Sequence, residues 1–199
     1  MSVVQRLGTR ALRVERPRGK SPAALLAAAR AWPGVTDAWL TETWLAVETS
    51  RPEAIDAARV AELASLPSDD AAPGREHTIA VRYDGADLAE VARACDLSRE
   101  RVVALHAGAV YTVLFDGFLP GFAYLGGLPC ELEVDRLPSP RTRVPRNAVA
   151  IAGPYAGVYP FESAGGWRLL GTAQGVELFE RERGALLLPG DRVRFREVG

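Results

Sequence analysis

Several features are scarce in this 199-residue chain, and their scarcity excludes whole classes of protein. The net charge is only -1, so no basic excess predicts a nucleic-acid-binding face. No apolar run approaches the length that crosses a membrane, and the N-terminal residues lack the apolar segment of a signal peptide. The remaining composition, 48% hydrophobic and 25% charged, is ordinary for a globular protein. We therefore expect a cytoplasmic protein.

Cysteine and histidine are also rare, with two residues of each. Cys95 and Cys130 have no metal-ligand spacing and are too few for a disulfide framework, so we expect a reduced protein without a metal site. The chain shows no Ser-His-Asp order and no HExxH motif. It therefore offers no self-sufficient catalytic centre.

The single lysine, Lys20, stands in a run that ends like a phosphate-binding P-loop. The first glycine of that motif is absent, Pro17 removes an N–H donor, and no parallel βαβ pattern follows. We interpret Lys20 and Ser21 as a turn and a helix cap.

The pattern of short elements predicts two domains, residues 1–72 and residues 73–199. In the first, residues 11–15 alternate like a strand, and Ser21-Pro22 opens a helix over residues 23–31. A hairpin over residues 35–40 and 44–48 follows, and Ser50 with Glu53 has the spacing of a capping box for a helix ending near residue 66. This order predicts a small α+β domain with two helices on an antiparallel sheet.

Residues 66–77 are polar and lack periodicity, so they are interpreted as a linker. Asp87 with Glu90, and then Ser98, predict the starts of two short helices. After these, short β-rich runs alternate with glycine and proline, which favours a barrel or sandwich. The predicted strands are residues 78–83, 110–115, 148–152, 168–170, 176–179, 186–188 and 193–195.

The most informative stretch is residues 116–129, where Phe118, Phe122 and Tyr124 stand among four glycines and two prolines. A core strand would not carry so much glycine and proline, so we interpret the stretch as a loop. Its rings suggest a shaped surface on which something docks. A loop folded over its own core is the alternative.

Two further segments could hold an anion. Gly165 and Gly166 would expose backbone amides beside the flat ring of Trp167 and the cation of Arg168, although a β-bulge that turns Trp167 into the core explains the same residues. Alternate residues of an extended chain share a face, so Arg141 and Arg143 could grip a carboxylate or phosphate between them. Charges that protect a solvated sheet edge are the alternative for these arginines.

His106 stands at the end of the second short helix, just before Gly108. It could act as a base or orient a substrate. A structural role against the last carbonyl groups of the helix is the alternative.

Several segments, in this order, resemble one protein family: the B subunit of bacterial 5-oxoprolinase, also known as allophanate hydrolase subunit 1, and the Kip-type inhibitor of a sporulation histidine kinase. The resemblance covers nearly the whole chain and is specific from about residue 78 onward. The matching segments are residues 105–106, 117–129, 140–141, 144–145, 148–153, 157–160, 165–171 and 187–195.

The resemblance implies a cyclophilin-like β-barrel after the small α+β domain. It implies partnership with the C and A subunits of 5-oxoprolinase, in a heteromeric complex that opens 5-oxo-L-proline to L-glutamate with ATP as co-substrate. A nucleotide site could then lie on another chain of the complex. The positions that match the family's motifs are His106, Phe118, Pro120, Gly121, Phe122, Tyr124, Arg141, Gly165, Gly166 and Trp167.

The chain departs from the family pattern at Arg146-Asn147, where relatives have two small residues, and at Ala164, where they have proline. Two functions from different classes follow from the resemblance. The first is an accessory subunit of an ATP-dependent 5-oxoprolinase, inactive alone. The second is a regulatory protein that inhibits a sensor histidine kinase through the loop of residues 118–124.

Overall fold

The structure, a computed structural model, describes residues 4–68 and 74–199 of the chain. It divides into two units, residues 1–74 and residues 75–199. The predicted domain boundary between residues 72 and 73 lies outside the described residues and stays a prediction. The architecture is mixed α/β and includes a closed seven-stranded barrel.

The first unit is built on a four-stranded antiparallel sheet with the order β1-β2-β4-β3. Helix α1 packs on β3 and β4 and buries Leu25, Leu26 and Ala29. The elements are β1 (Gln5–Leu7), β2 (Ala11–Glu15), α1 (Pro22–Arg30), β3 (Val35–Leu40), β4 (Trp44–Thr49) and α2 (Ala57–Glu62).

The run that resembles a P-loop is a turn and a helix cap, as its sequence context predicts. Ser21 caps α1 by accepting a hydrogen bond from the Ala24 amide, and the Lys20 ammonium donates to the Leu66 carbonyl at 2.9 Å. The predicted second helix is wrong at its start. Asp56 caps α2, whereas the Ser50 hydroxyl donates to the Gly34 carbonyl, because the β3–β4 hairpin places that carbonyl beside it.

The second unit is dominated by the closed barrel, with the strand order β10-β7-β6-β15-β5-β12-β9. Neighbouring strands are antiparallel except β15 and β5, which are parallel. The elements are β5 (Glu76–Arg82), α3 (Leu88–Ala94), α4 (Arg99–Gly108), β6 (Val110–Asp116), β7 (Ala123–Gly126), β8 (Arg141–Val144), β9 (Ala148–Ala152), β10 (Tyr155–Val158), β11 (Ser163–Gly165), β12 (Arg168–Gln174), β13 (Phe179–Glu180), β14 (Gly184–Ala185) and β15 (Arg192–Glu197).

Three local predictions in this unit are wrong. The glycine-rich stretch is not all loop, because Ala123–Gly126 forms barrel strand β7 between β6 and β10. The predicted linker overlaps the start of β5 at Glu76, where His77 bonds to the Asp191 carboxylate at 3.0 Å. Residues 176–179 and 186–188 are not barrel strands, and the chain there forms only the short pair β13 and β14.

The barrel wall is buried on both of its faces near β9. Val149 and Ile151 belong to the main core cluster, whereas Ala148, Ala150 and Ala152 belong to a second cluster. Successive side chains of a strand point to opposite faces, so the second cluster lies outside the barrel wall. The same alternation divides Leu125 from Tyr124, and Leu170 from Leu169. Alanine on the outer face of β9 leaves room for large rings.

Candidate functional site

Five aromatic rings pack together on the outer side of the barrel wall. We call Phe118, Phe122, Tyr124, Tyr159 and Trp167 the aromatic cluster. The Phe122 ring is its centre, because its centroid lies 5.2–5.5 Å from the centroids of the other four. The interplanar angles of 69–88° are those of edge-to-face contacts. Thus the structure brings the glycine-rich stretch and the Gly-Gly-Trp segment into one site.

Glycines make this packing sterically possible. A Cβ atom on Gly157 would lie 2.9 Å from Phe122 Cζ and 3.1 Å from Trp167 Cζ3, and one on Gly165 would lie 2.3 Å from the Tyr159 hydroxyl oxygen. Real Cβ atoms essentially never approach another atom within 3.0 Å, and contacts near 3.1 Å are uncommon. The absence of a side chain at Gly165 therefore leaves room for the Tyr159 ring.

Trp167 is turned into this cluster and is only 5% exposed. The pairing of β11 with β8 shifts register between Ser163 and Gly165, directly before it. This is the bulge-like geometry that the sequence offered as one alternative. Gly166 contributes its carbonyl, which accepts a hydrogen bond from the Leu137 amide at 2.7 Å.

Phe118 differs from the other members of the cluster because its side chain faces solvent. The residue is 58% exposed and has a φ angle of +70°, in the left-handed region that bulky residues rarely occupy. Backbone bonds hold the turn: the Gly117 amide donates to the Phe122 carbonyl, and the Phe122 amide donates to the Leu119 carbonyl across Pro120. The loop therefore presents an apolar ring to solvent in a strained backbone conformation.

Asp87 fixes the edge of the site next to Trp167. The sequence predicts it as a helix cap, but its side chain makes no capping bond to α3. One carboxylate oxygen instead accepts from the Arg141 guanidinium at 2.5 Å, and the other accepts from the Leu169 amide at 2.7 Å. The Arg141 side chain also approaches the Trp167 carbonyl, at 3.5 Å. The buried carboxylate thus ties α3, β8 and β12 together.

Each arginine that the sequence offered for an anion site pairs with a carboxylate of its own, and binding of an anion there stays a prediction. Arg143 pairs with Glu162 at 2.7 Å, and Arg168 pairs with Glu90 at 2.6 Å. With Arg141 held by Asp87, none of the three shares an anion with another. Their guanidinium groups therefore position the chain segments around Trp167.

Sequence reasoning missed Arg136. Its guanidinium carbon lies 5.9 Å from the centroid of the Trp167 ring, within cation–π range. Its charge also reaches two tyrosines of the cluster. Burial raises the pKa of Tyr124 and of Tyr159, and the Arg136 cation opposes that rise in both. Nothing in the spacing around Arg136 predicts this, since Trp167 is 31 positions later in the chain.

His106 lies in the main core of the barrel and is completely buried. Its ring stacks on Phe195 with centroids 4.6 Å apart, and its Nδ1 atom is 2.8 Å from the Tyr83 hydroxyl. Burial lowers the pKa of His106 to about 3, so the ring is neutral at physiological pH. The described contacts do not bring it together with the aromatic cluster. Its catalytic role stays a prediction.

Of the positions that depart from the family pattern, Asn147 contacts a residue of the cluster. Arg146 forms an ion pair with Glu177. Asn147 has a φ angle of +62°, and its backbone N–H donates to the Tyr159 carbonyl at 2.7 Å. Ala164 lies in β11 and is exposed. Asparagine tolerates the left-handed region better than most residues, which fits it to this turn.

Two kinds of feature are absent from residues 4–68 and 74–199. This part of the chain contains no group of three or more histidine, cysteine, aspartate or glutamate side chains placed to hold a metal ion. It also contains no helix that is long and apolar enough to cross a membrane.

A sequence profile of the carboxyltransferase domain, subdomains C and D, matches residues 3–188. The chain belongs to this family. Proteins named as the B subunit of 5-oxoprolinase are among its relatives, as the resemblance in the sequence predicts. The relative from Escherichia coli O157:H7 is 49% identical over 122 residues, which are 59% of this chain and 56% of that protein. The relative from Haemophilus influenzae is 42% identical over 127 residues, 61% of this chain and 59% of that protein.

Solved structures support the same fold for this carboxyltransferase-domain chain. The crystal structure of TTHA0988 superimposes with a TM-score of 0.78 and 41% sequence identity. The match covers 96% of this chain but only 40% of TTHA0988. The chain therefore spans well under two thirds of these relatives.

Proposed function

We propose that this chain is an accessory subunit of an ATP-dependent 5-oxoprolinase that opens 5-oxo-L-proline to L-glutamate together with the C and A subunits of that enzyme. The observation that carries the proposal is the 49% identity to a protein named as the B subunit of 5-oxoprolinase. In this proposal the first unit is the family's two-helix α+β domain, and the barrel is its cyclophilin-like domain.

The chemistry explains why such an enzyme needs ATP. The lactam carbonyl of 5-oxo-L-proline is a poor electrophile. Its oxygen would attack the γ-phosphorus of ATP and release ADP, which leaves an O-phosphorylated ring. Water would then add to the activated carbon, and the C–N bond would break with protonation of nitrogen, which leaves an acyl phosphate. A second water would cleave the acyl phosphate to the carboxylate and inorganic phosphate. These reaction steps need a nucleotide site, which we assign to the assembled complex.

Two candidate acid–base side chains of the described residues, Asp87 and His106, are already engaged within the chain, which supports an accessory role. Asp87 is occupied by Arg141 and by the Leu169 amide. His106 is buried, neutral and held by Tyr83. The cluster can therefore bind and orient a ligand or a partner, while the reacting groups come from elsewhere.

Co-expression tests the proposal. The chain is produced alone and together with the C and A subunits, and ATP hydrolysis and glutamate formation are measured with and without 5-oxo-L-proline. We expect no turnover by the chain alone and 5-oxo-L-proline-dependent turnover by the complex. Turnover by the isolated chain would contradict the accessory role. A pull-down with this chain that recovers a sensor histidine kinase and no C subunit would favour the inhibitor function instead.

A further inference from the structure

Four arginines lie near Trp167 or on strand β8, and three of them already have an anionic partner. Arg141 lies 2.5 Å from Asp87, Arg143 lies 2.7 Å from Glu162, and Arg168 lies 2.6 Å from Glu90. An incoming anion would compete with these carboxylates, most strongly at Arg141, whose partner Asp87 is buried. Glu162 and Glu90 are exposed and compete more weakly for Arg143 and Arg168.

Arg136 is the exception. Its side chain is exposed, and the contact that it makes within residues 4–68 and 74–199 is with the face of Trp167. A guanidinium carries five N–H donors, and no carboxylate among the described residues pairs with that of Arg136. Those N–H groups have the geometry to grip a carboxylate with two parallel hydrogen bonds.

The surroundings of Arg136 suit a ligand that also has an apolar part. Its cation–π contact with Trp167 places it at the edge of the aromatic cluster. The exposed ring of Phe118 belongs to the same cluster through its contacts with Phe122 and Tyr159. Arg136 and Phe118 are thus the exposed cation and the exposed apolar ring of one group of side chains, and a small ring that bears a carboxylate would suit both.

We propose that Arg136, rather than Arg141 or Arg143, holds the carboxylate of a small cyclic carboxylic acid at the aromatic cluster. The naming of 5-oxo-L-proline as that acid rests on the proposed function, whereas the assignment of the carboxylate to Arg136 rests on the geometry. Arg136 is thus a binding and specificity residue.

The first experiment observes the side chain directly in the full chain. The Nε–Hε resonance of Arg136 is identified by its loss in Arg136→Lys, and the wild-type chain is then titrated with 5-oxo-L-proline. We expect a saturable shift of this resonance. We expect none with 2-pyrrolidinone, which has the same lactam ring without the carboxylate. An unmoved Arg136 resonance, or an equal response to 2-pyrrolidinone, would overturn the assignment.

The second experiment uses the complex with the C and A subunits. Arg136→Ala should raise the KM for 5-oxo-L-proline about tenfold to a hundredfold, with kcat within about twofold, because a charged hydrogen bond to the bound ligand is lost. Arg194→Ala, which removes an exposed arginine on β15, is the matched control and should leave KM unchanged. Dissociation of the complex by Arg136→Ala would instead identify a partner contact and contradict the proposal.

Failure of the proposed function can be distinguished from failure of the Arg136 assignment. If the wild-type complex does not turn over 5-oxo-L-proline, the proposed function is wrong. The resonance experiment on the chain still decides whether Arg136 binds a carboxylate.

Discussion

Asp87 joins three elements that are far apart in the chain. Its carboxylate accepts from Arg141, 54 positions later, and from the Leu169 amide, 82 positions later. The Asp87 side chain is 5% exposed and that of Arg141 is 28% exposed. Removal of one partner of such a pair leaves the other charge desolvated without compensation.

We therefore expect Asp87→Ala to lower the free energy of unfolding by about 3 kcal/mol, because Arg141 loses its carboxylate partner and the Leu169 amide loses its acceptor. Urea denaturation of the purified chain measures the change. Glu162→Ala is the matched control, since it breaks the exposed pair with Arg143 and should cost under about 1 kcal/mol. Equal losses in the two variants would show that the Asp87 contacts do not stabilise the fold.

His106 couples the barrel core to pH. Burial lowers its pKa from 6.5 to about 3 in the folded chain. The unfolded chain therefore binds one more proton than the folded chain between these two values. The stabilising contribution is complete above about pH 6.5 and is lost progressively as the pH falls toward 3.

Two measurements check this pH dependence. The ring resonances of His106, distinguished from those of His77 by a His77→Gln variant, should not titrate between about pH 5 and pH 8. The wild type should lose about 1.4 kcal/mol more per pH unit than His106→Leu as the pH falls from about 6 to 4. A His106 midpoint near its ordinary value would mean that the ring is open to solvent.

The turn between β6 and β7 is shaped by one glycine that nothing larger can replace. Gly121 has a φ angle of +80°, and a Cβ atom there would lie 2.7 Å from Phe179 Cβ and 2.8 Å from the Leu178 carbonyl oxygen. The segment before β13 thus packs directly on the backbone of the turn that carries Phe118. Both the left-handed conformation and the close approach require glycine.

Substitution by alanine separates these two requirements. Gly121→Ala should destabilise the chain more than Gly184→Ala, by about 1–3 kcal/mol, because only the first creates a steric overlap. Gly184 has a similar φ angle of +76° with no atom within 4 Å of the added Cβ. Thermal or urea unfolding of both variants gives the difference. Equal destabilisation would show that the segment before β13 moves away freely.

At the scale of the whole molecule, the aromatic cluster consists mostly of buried rings and has one exposed ring. Phe122 and Tyr159 are each 1% exposed, whereas Phe118 is 58% exposed on the same cluster. An apolar ring that is held in solvent by a strained backbone contributes little to folding. It is suited to a contact with another molecule.

Under the proposed function, Phe118→Ala should leave the free energy of unfolding within about 0.5 kcal/mol of wild type and weaken binding to the C subunit of 5-oxoprolinase at least about tenfold. Calorimetric titration of the chain with the purified C subunit measures the binding. Leu188→Ala is the matched control, because Leu188 is a similarly exposed apolar residue, at 47%, outside the cluster. Unchanged binding in Phe118→Ala would exclude this ring from the interface.

Local patterns in the sequence determined much of this protein. The helix start at Ser21-Pro22, the hairpin of β3 and β4, the cap at Ser98 and the bounds of β9 all follow from residues within a few positions of one another. Their physical basis is local, since caps and side-chain periodicity depend on neighbouring residues. The family follows likewise from ordered motifs along the chain.

Tertiary structure alone decided the arrangement of the site. Strand β7 forms in spite of its glycines because β6 and β10 supply its backbone partners. Asp87 leaves its capping role because Arg141 and Leu169 are brought to it. Arg136 reaches Trp167 only when segments 31 positions apart meet. Such long-range contacts depend on how the barrel closes, and no local periodicity in the chain encodes them.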